Sequence, residues 1–266
     1  MSQAPRNPNP PHPVGRRLGW FLCGALGAAL AALALWAVFP FPTPTRGSAP
    51  NPQSAAARPH GDSELVRLLL AENLEHRRFA FPDVVAAASG KQIIPLDPEI
   101  PAHRRVLDAI DAAMRETAAD LNRADSPVRS LRRINEASRF FEDGLRVRID
   151  AMDGLSCDIP PTRGGASQRS GYPDLRITDE PTGTVFYLDP KLVERTAWKS
   201  TLRTFYFAPK SSTLKITDDA VHLLLGIEHD GRDGQWTFGP WKIVDLSTLR
   251  VRLKAEFQAS NKDLYR

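Results

Sequence analysis

Cysteine is almost absent. Cys23 and Cys157 are the only two in 266 residues, one inside an apolar run and the other far downstream. So sparse a supply excludes an intramolecular disulfide framework and any multi-cysteine metal site. Glycine-rich phosphate loops, a Gly-x-Ser-x-Gly elbow and a His-Glu-x-x-His pair are missing as well, and the six histidines are scattered. Hydrolase classes built on those devices are disfavoured. No segment repeats. Nor is the chain basic throughout: the first 60 residues hold Arg6, Arg16, Arg17, Arg46 and Arg58 and no acid, leaving 30 bases against 31 acids in the other 206. The formal charge of +4 and the pI of about 9.2 therefore belong to the tail and are no argument for a nucleic-acid partner.

What is present suits one or two globular domains, with 42% hydrophobic and 25% charged residues. Leu18 to Phe39 is a run of 22 uncharged residues, with Trp20 and Trp36 near its ends. About 20 apolar residues cross a bilayer as a helix, and amphipathic rings favour its interfaces. The run is too long for the core of a cleaved signal peptide, and Pro40, Pro42 and Pro44 follow it where small cleavage-site residues would stand. A transmembrane helix over 18–39 is expected, after a disordered cytoplasmic tail at 1–17. Arg6, Arg16 and Arg17 before the run against Arg46 and Arg58 after it put the amino terminus inside, with the soluble part extracytoplasmic at the cell membrane. Residues 40–61, rich in Pro, Ser, Ala and Asn, read as a linker that cannot bury enough surface to order itself.

The soluble part, 62–266, divides by periodicity. Asp62 or Ser63 can cap a helix carrying Leu65, Val66, Leu68, Leu69 and Leu70. Residues 77–100 are mixed and broken by proline. From Pro101, apolar residues at Val106, Leu107, Ile110, Ala113, Met114, Ala118 and Leu121 predict a helix of about 20 residues. Ser126-Pro127 starts a second, carrying Val128, Leu131, Ile134, Ala137 and Phe141, which Gly144 ends. The period then changes to two: Leu145, Val147 and Ile149 alternate with Arg146, Arg148 and Asp150 and predict a strand. Further strands are expected at 175–177, 185–188, 204–207, 222–228 and 236–244, with a turn at Glu180–Gly183 and a closing helix around 253–264. The expectation is an α+β domain, helical over 62–143 and strand-rich over 145–266, with a helical layer on a mixed sheet of about five or six strands.

The most informative stretch is Gly171 to Glu194, GYPDLRITDEPTGTVFYLDPKLVE. A hairpin brings the start of one strand beside the end of the next, so Asp174 and Asp189 become neighbours. Lys191, two residues on in extended chain, shares a face with Asp189. Two carboxylates and a lysine at one strand end suit Mg²⁺, which takes hard oxygen ligands, and phosphodiester hydrolysis.

Pro173-Asp174 and Asp189-Pro190-Lys191, fifteen positions apart and preceded by apolar residues, resemble the PD-(D/E)xK superfamily of restriction-endonuclease-like nucleases. The resemblance covers about residues 127–230. It implies a restriction-endonuclease-like fold and Mg²⁺ held by Asp174 and Asp189, with the Pro190 carbonyl as a further ligand. It also implies a catalytic set of Asp174, Asp189 and Lys191, in which Lys191 positions the attacking water. The superfamily often adds an acid from the preceding helix, here Glu136 or Glu142. Pro82-Asp83 repeats the first dipeptide but has no partner motif.

Other clusters read more simply. Glu228-His229-Asp230 is a strand end. Arg123, Arg129, Arg132, Arg133 and Arg139 make a salt-bridged helix face or a phosphate-binding one. Arg250, Arg252 and Lys254 alternate along an extended edge. Trp236, Phe238 and Trp241 pack against the late helix rather than stack on bases. The expected function is a membrane-anchored, nuclease-like hydrolase acting on nucleic acid. The alternative is a non-enzymatic, membrane-anchored binding or scaffold domain.

Overall fold

The computed structural model describes residues 60–72, 74, 76–201, 205–231, 234–254 and 258–265. The expected membrane helix (Leu18 to Phe39), the tail before it and nearly all of the linker lie outside the described residues. No helix among those described is long and apolar enough to cross a membrane.

The fold is that of the unit Val66–Arg266. A helix α1 (His60–Ala71) leads into it, followed by a two-residue strand β1 (Phe79–Ala80), α2 (Phe81–Ser89) and β2 (Ile93–Ile94). The long helix α3 spans Pro101–Asn122, α4 spans Ser138–Asp150, and β3 (Leu155–Asp158), β4 (Leu175–Asp179), β5 (Thr184–Glu194), β6 (Ala220–His229) and β7 (Phe238–Asp245) follow. A short β8 (Arg250–Val251) and a one-turn α5 (Asn261–Leu264) close the chain. Six strands form one mixed sheet in the order β2-β6-β5-β4-β3, with β7 also paired to β6. β5 and β6 run parallel, β4 and β5 antiparallel. This is the α+β architecture, with its mixed sheet, that the sequence implies.

Both faces of the sheet are covered. Phe186 and Leu188 of β5 join the core beneath α3 and α4, with Val106, Ile110, Phe141 and Leu145. Val185 and Tyr187 point the other way, into a second core with Phe81 and Val85 of α2, Tyr172 and Ile216. Two-sided burial explains why β5 reads as a continuous apolar run rather than an alternating one. At about 25 cal/mol per Å² of apolar surface, such burial is the main stabilising contribution.

Four expectations need correction. The strand expected at Leu145–Ile149 is the last half of α4. Phe141, Leu145 and Ile149, each 0% exposed, lie four apart on one helical face, while Val147 is 56% exposed. Spacings of two and four coincide at Leu145 and Ile149, so the short alternation mimicked a strand. The helical part therefore runs to Asp150, with only the two-residue strands β1 and β2 inside it, and the longer strands begin at Leu155. Second, the helix expected from Pro127 is two 3-10 turns, Pro127–Ser130 and Ile134–Ala137, ahead of α4; Ser126 does cap the first, accepting from the Val128 N–H at 3.4 Å. Third, Phe205–Phe207 form no strand, residue 204 lying outside the described residues, and the closing helix shrinks to Asn261–Leu264. Fourth, Trp236, Phe238 and Trp241 pack on the helical layer rather than on a late helix. Phe238 meets Phe141 edge-on at 4.7 Å, and Trp241 Nε1 donates to Asp111 Oδ1 at 3.0 Å. The short segments β1, α2 and β2 occupy the proline-broken stretch that periodicity could not resolve.

Gly144, expected to end a helix, lies inside α4 where α3 passes closest. A Cβ there would stand 2.6 Å from Thr117 Cγ2 and 2.9 Å from its Oγ1. Thr117 is buried and anchored by donation to the Ala113 carbonyl at 2.7 Å, so it cannot simply turn away. Gly144→Val should cost about 2–3 kcal/mol, the scale of overpacking a filled core. Thr117→Ala in the same chain should recover most of the loss, read from urea unfolding midpoints of the single and double variants; no recovery would place the strain elsewhere.

Candidate active site

The β4–β5 hairpin fixes the site. Leu175 pairs with Leu188, so Asp174, one residue before β4, stands across from Asp189, one residue past the last β4–β5 pair. Beyond that pair β5 continues against β6 alone, with Asp189, Pro190 and Lys191 opposite Leu224, Leu225 and Gly226. Pro190 is tolerated mid-strand because β4, the neighbour on its other side, has already ended. By alternation Asp189 and Lys191 share a face with Tyr187.

Three sequence-predicted residues come together here. Lys191 Nζ lies 2.5 Å from Asp189 Oδ2, 3.3 Å from Asp174 Oδ2 and 3.3 Å from the Pro190 carbonyl oxygen. Asp189 is almost sealed, its side chain 3% exposed, against 14% for Asp174 and 28% for Lys191. The Lys191 ammonium is the partner of this buried Asp189 oxygen, and the two form a close ion pair. Burial and the neighbouring Asp174 carboxylate push the Asp189 carboxyl up to about 7, against the pull of Lys191. For Lys191, burial opposes the charge, but Asp189 and Asp174 outweigh it and raise its pKa.

A cavity of about 630 Å³ opens beside this corner, walled by Glu136, Arg139, Glu142, Arg169, Asp174 and Lys191 among others. The loop before β4 forms one wall through Arg169, Ser170 and Gly171 rather than covering the corner. Both helix-side acids reach the cavity, but they differ. Burial, together with the Asp174 carboxylate, raises the Glu142 carboxyl, and Arg169 and Lys191 act against that rise. Arg169 pairs with Glu142 at 3.6 Å and with Asp143 at 2.6 Å. Glu142 is thus the acid electrostatically joined to the aspartates.

The oxygens at the corner fit a divalent cation. Among the described residues no group of three or more His, Cys, Asp and Glu side chains gathers as a metal nest. Mg²⁺ needs less, since it usually takes one or two carboxylates and keeps several waters. Two carboxylate oxygens and the Pro190 carbonyl already converge on one cationic nitrogen, which shows that they can face a single cation.

Comparison with known proteins agrees with this geometry. The model of the type II restriction enzyme MjaV family matches residues 72–266. The chain belongs to that family. The type II restriction enzyme MjaV of Methanocaldococcus jannaschii is 30% identical over 202 residues, covering 71% of this chain and 86% of the relative. Restriction enzymes are PD-(D/E)xK proteins, so the resemblance carried by Pro173, Asp174, Asp189 and Lys191 holds. No solved structure matches.

Elsewhere the family member's other motifs settle into structural roles. Pro82-Asp83 lies in the first turn of α2. Glu228 accepts from Arg195 at 2.8 Å and from Trp198 Nε1 at 3.0 Å. Arg129 donates to the Asn122 carbonyl at 2.9 Å. Arg250 belongs to β8, paired with β1. Burial pushes the Cys157 thiol up to about 12, making it an inert core residue. Two residues near the site escaped the sequence. Tyr172 shares a hydrogen bond of 2.7 Å with His222 Nδ1 beneath the loop. Lys215, 0% exposed, donates to the Arg169 carbonyl at 3.3 Å within reach of the fields of Asp174, Asp189 and Glu142, and the apolar flanks Leu214 and Ile216 were the only available signal.

The raised Asp189 carboxyl gives a pH dependence with a defined sign. Folded protein without metal keeps a proton that the unfolded chain releases at the ordinary carboxylate pKa near 4. The associated stability is complete below that value and is lost as pH rises towards 7, by at most about 1.4 kcal/mol per pH unit. Urea unfolding in EDTA at pH 5 and pH 7.5 should show Asp189→Asn losing less stability than the unsubstituted protein over this interval. An identical loss would mean that Asp189 is ionised throughout.

Proposed function

We propose that the chain is a Mg²⁺-dependent endonuclease that hydrolyses phosphodiester bonds in double-stranded DNA at the Asp174, Asp189, Lys191 corner. The observation that carries this reading is the convergence of Asp174 Oδ2, Asp189 Oδ2 and the Pro190 carbonyl on one point beside an open cavity. Membership of a restriction-enzyme family supports the choice of DNA.

Asp174, Asp189 and the Pro190 carbonyl would hold the metal, which when bound would supply charge neutralisation at the phosphodiester. Each side chain then has a physical task. Lys191, partly exposed, swings from the carboxylates towards the cavity, where its ammonium orients the attacking water and offsets charge building on phosphorus. Glu142, whose proton affinity is raised, stands where a proton can be taken up on the cavity wall. Arg139 and Arg169 line the same cavity and offer guanidinium groups to flanking phosphates.

Membrane anchoring remains part of the proposal on sequence grounds alone. The run Leu18 to Phe39 precedes the family region, which begins at residue 72, and so adds an anchor to an enzyme unit rather than interrupting it.

The test uses the purified full-length chain and linear double-stranded DNA. Cleavage is expected with Mg²⁺ and none in EDTA, and Asp189→Ala and Lys191→Ala should each lose about 100-fold or more. Retained cleavage in Asp189→Ala would overturn the assignment of the site. DNA binding without cleavage by any form would favour the non-enzymatic domain instead.

A further inference from the structure

Glu142 and Asp174 line the cavity and Asp189 lies sealed beside them, yet one ammonium touches only the two aspartates. Lys191 contacts Asp174 and Asp189, while Glu142 faces Arg169, whose guanidinium it shares with Asp143. A second lysine lies behind this group. Lys215 is 0% exposed, and its neighbours Leu214 and Ile216 are locked into the second core at 2% and 0% exposure. Lysine is seldom fully buried without compensation, because desolvating an ammonium is costly. Two compensations are present. Lys215 Nζ donates to the Arg169 carbonyl at 3.3 Å, and the fields of Asp174, Asp189 and Glu142 act against the burial that lowers its pKa.

The backbone ties the same parts together. The Arg163 N–H donates to the Leu214 carbonyl at 2.7 Å, so the 214–216 segment is fastened to the loop that runs from β3 to β4. That loop carries Arg169 and ends at Asp174. Lys215 thus reaches the wall of the cavity from below while lying outside the cavity itself.

Resting on the nuclease reading above, we propose that Lys215 is a positioning residue of the same site. Its buried ammonium offsets the charge of Asp174, Asp189 and Glu142 from behind and pins the Arg169 carbonyl, holding the Asp174 loop against the hairpin end before any metal arrives. Removing this charge has two opposite consequences. The metal-free fold weakens, because the carboxylates lose a counter-charge. A divalent cation binds more tightly, because a like charge has gone.

The experiment compares full-length wild type, Lys215→Met and Lys215→Arg, titrating Mg²⁺ by calorimetry and recording thermal unfolding in EDTA. Lys215→Met is expected to lower the half-saturating Mg²⁺ concentration about threefold or more, as loss of a nearby positive charge requires. It should also lower the unfolding midpoint in EDTA by about 5 °C, and Lys215→Arg should stay close to wild type in both measurements. Asp189→Asn should raise the EDTA midpoint more in the Lys215→Met background than in wild type. Half-saturation unchanged or raised in Lys215→Met, with an equal effect of Asp189→Asn in both backgrounds, would overturn the proposal. If Lys215→Met does not fold, the double variant decides, folding recovered supporting the proposal and folding not recovered contradicting it. Should wild type and variants show these shifts while no form cleaves DNA, the nuclease reading falls and the role of Lys215 stands. Cleavage by wild type with neither shift in Lys215→Met gives the reverse.

Discussion

Two aspartates buried at one strand end repel each other, and the structure around them is arranged to bear that repulsion. Like charges a few Å apart cost on the order of 4 kcal/mol at an effective dielectric near 20, which a stable fold of 5–15 kcal/mol cannot ignore. Lys191 bridges both carboxylates, Arg169 answers Glu142, and Lys215 supplies charge from below. Even so, Asp189 keeps a raised proton affinity. A corner of this kind suits one more cation, the arrangement on which the proposed function rests, and perturbed carboxylates at a cleft are characteristic of catalytic sites.

The architecture holds the corner rigidly. β5 is central, flanked by β4 and β6 and covered on both faces, so Asp189 sits on the best-supported strand of the sheet. Helices α3 and α4 close one face, and their near approach at Gly144 brings the amino-terminal end of α4, with Glu142, to the mouth of the cavity. On the other face, α2 and the Tyr172–His222 pair support the loop that carries Asp174. Strand β5 supplies Asp189 and Lys191, and the loop before β4 supplies Asp174 and the arginine of the wall.

Much of this was legible in the residues. The pairing of Asp174 with Asp189 followed from a hairpin whose turn, Glu180–Gly183, was evident, because strand geometry converts sequence separation directly into adjacency. The α3 helix was equally plain, since its apolar periodicity persists from Val106 to Leu121, about four turns. The second half of α4 was not, because Leu145 and Ile149 satisfy a period of two and a period of four alike. The choice of Glu142 over Glu136 required the folded surroundings, since both reach the cavity and only burial beside Asp174 singles out Glu142. Lys215 was hidden for a different reason: its importance comes from long-range proximity, and a single lysine between Leu214 and Ile216 carries no spacing to betray it.

Family membership supports a nuclease and the converging oxygens suit a divalent cation, and the proposal that joins the two at this corner requires a metal to bind there. The decisive measurement is anomalous scattering from crystals of the protein soaked in Mn²⁺ as a visible substitute for Mg²⁺. A single strong peak within bonding distance of Asp174 and Asp189, with Lys191 turned into the cavity, is the expected result. A peak elsewhere, or an undisturbed Lys191 bridge in crystals whose protein cleaves DNA, would contradict it.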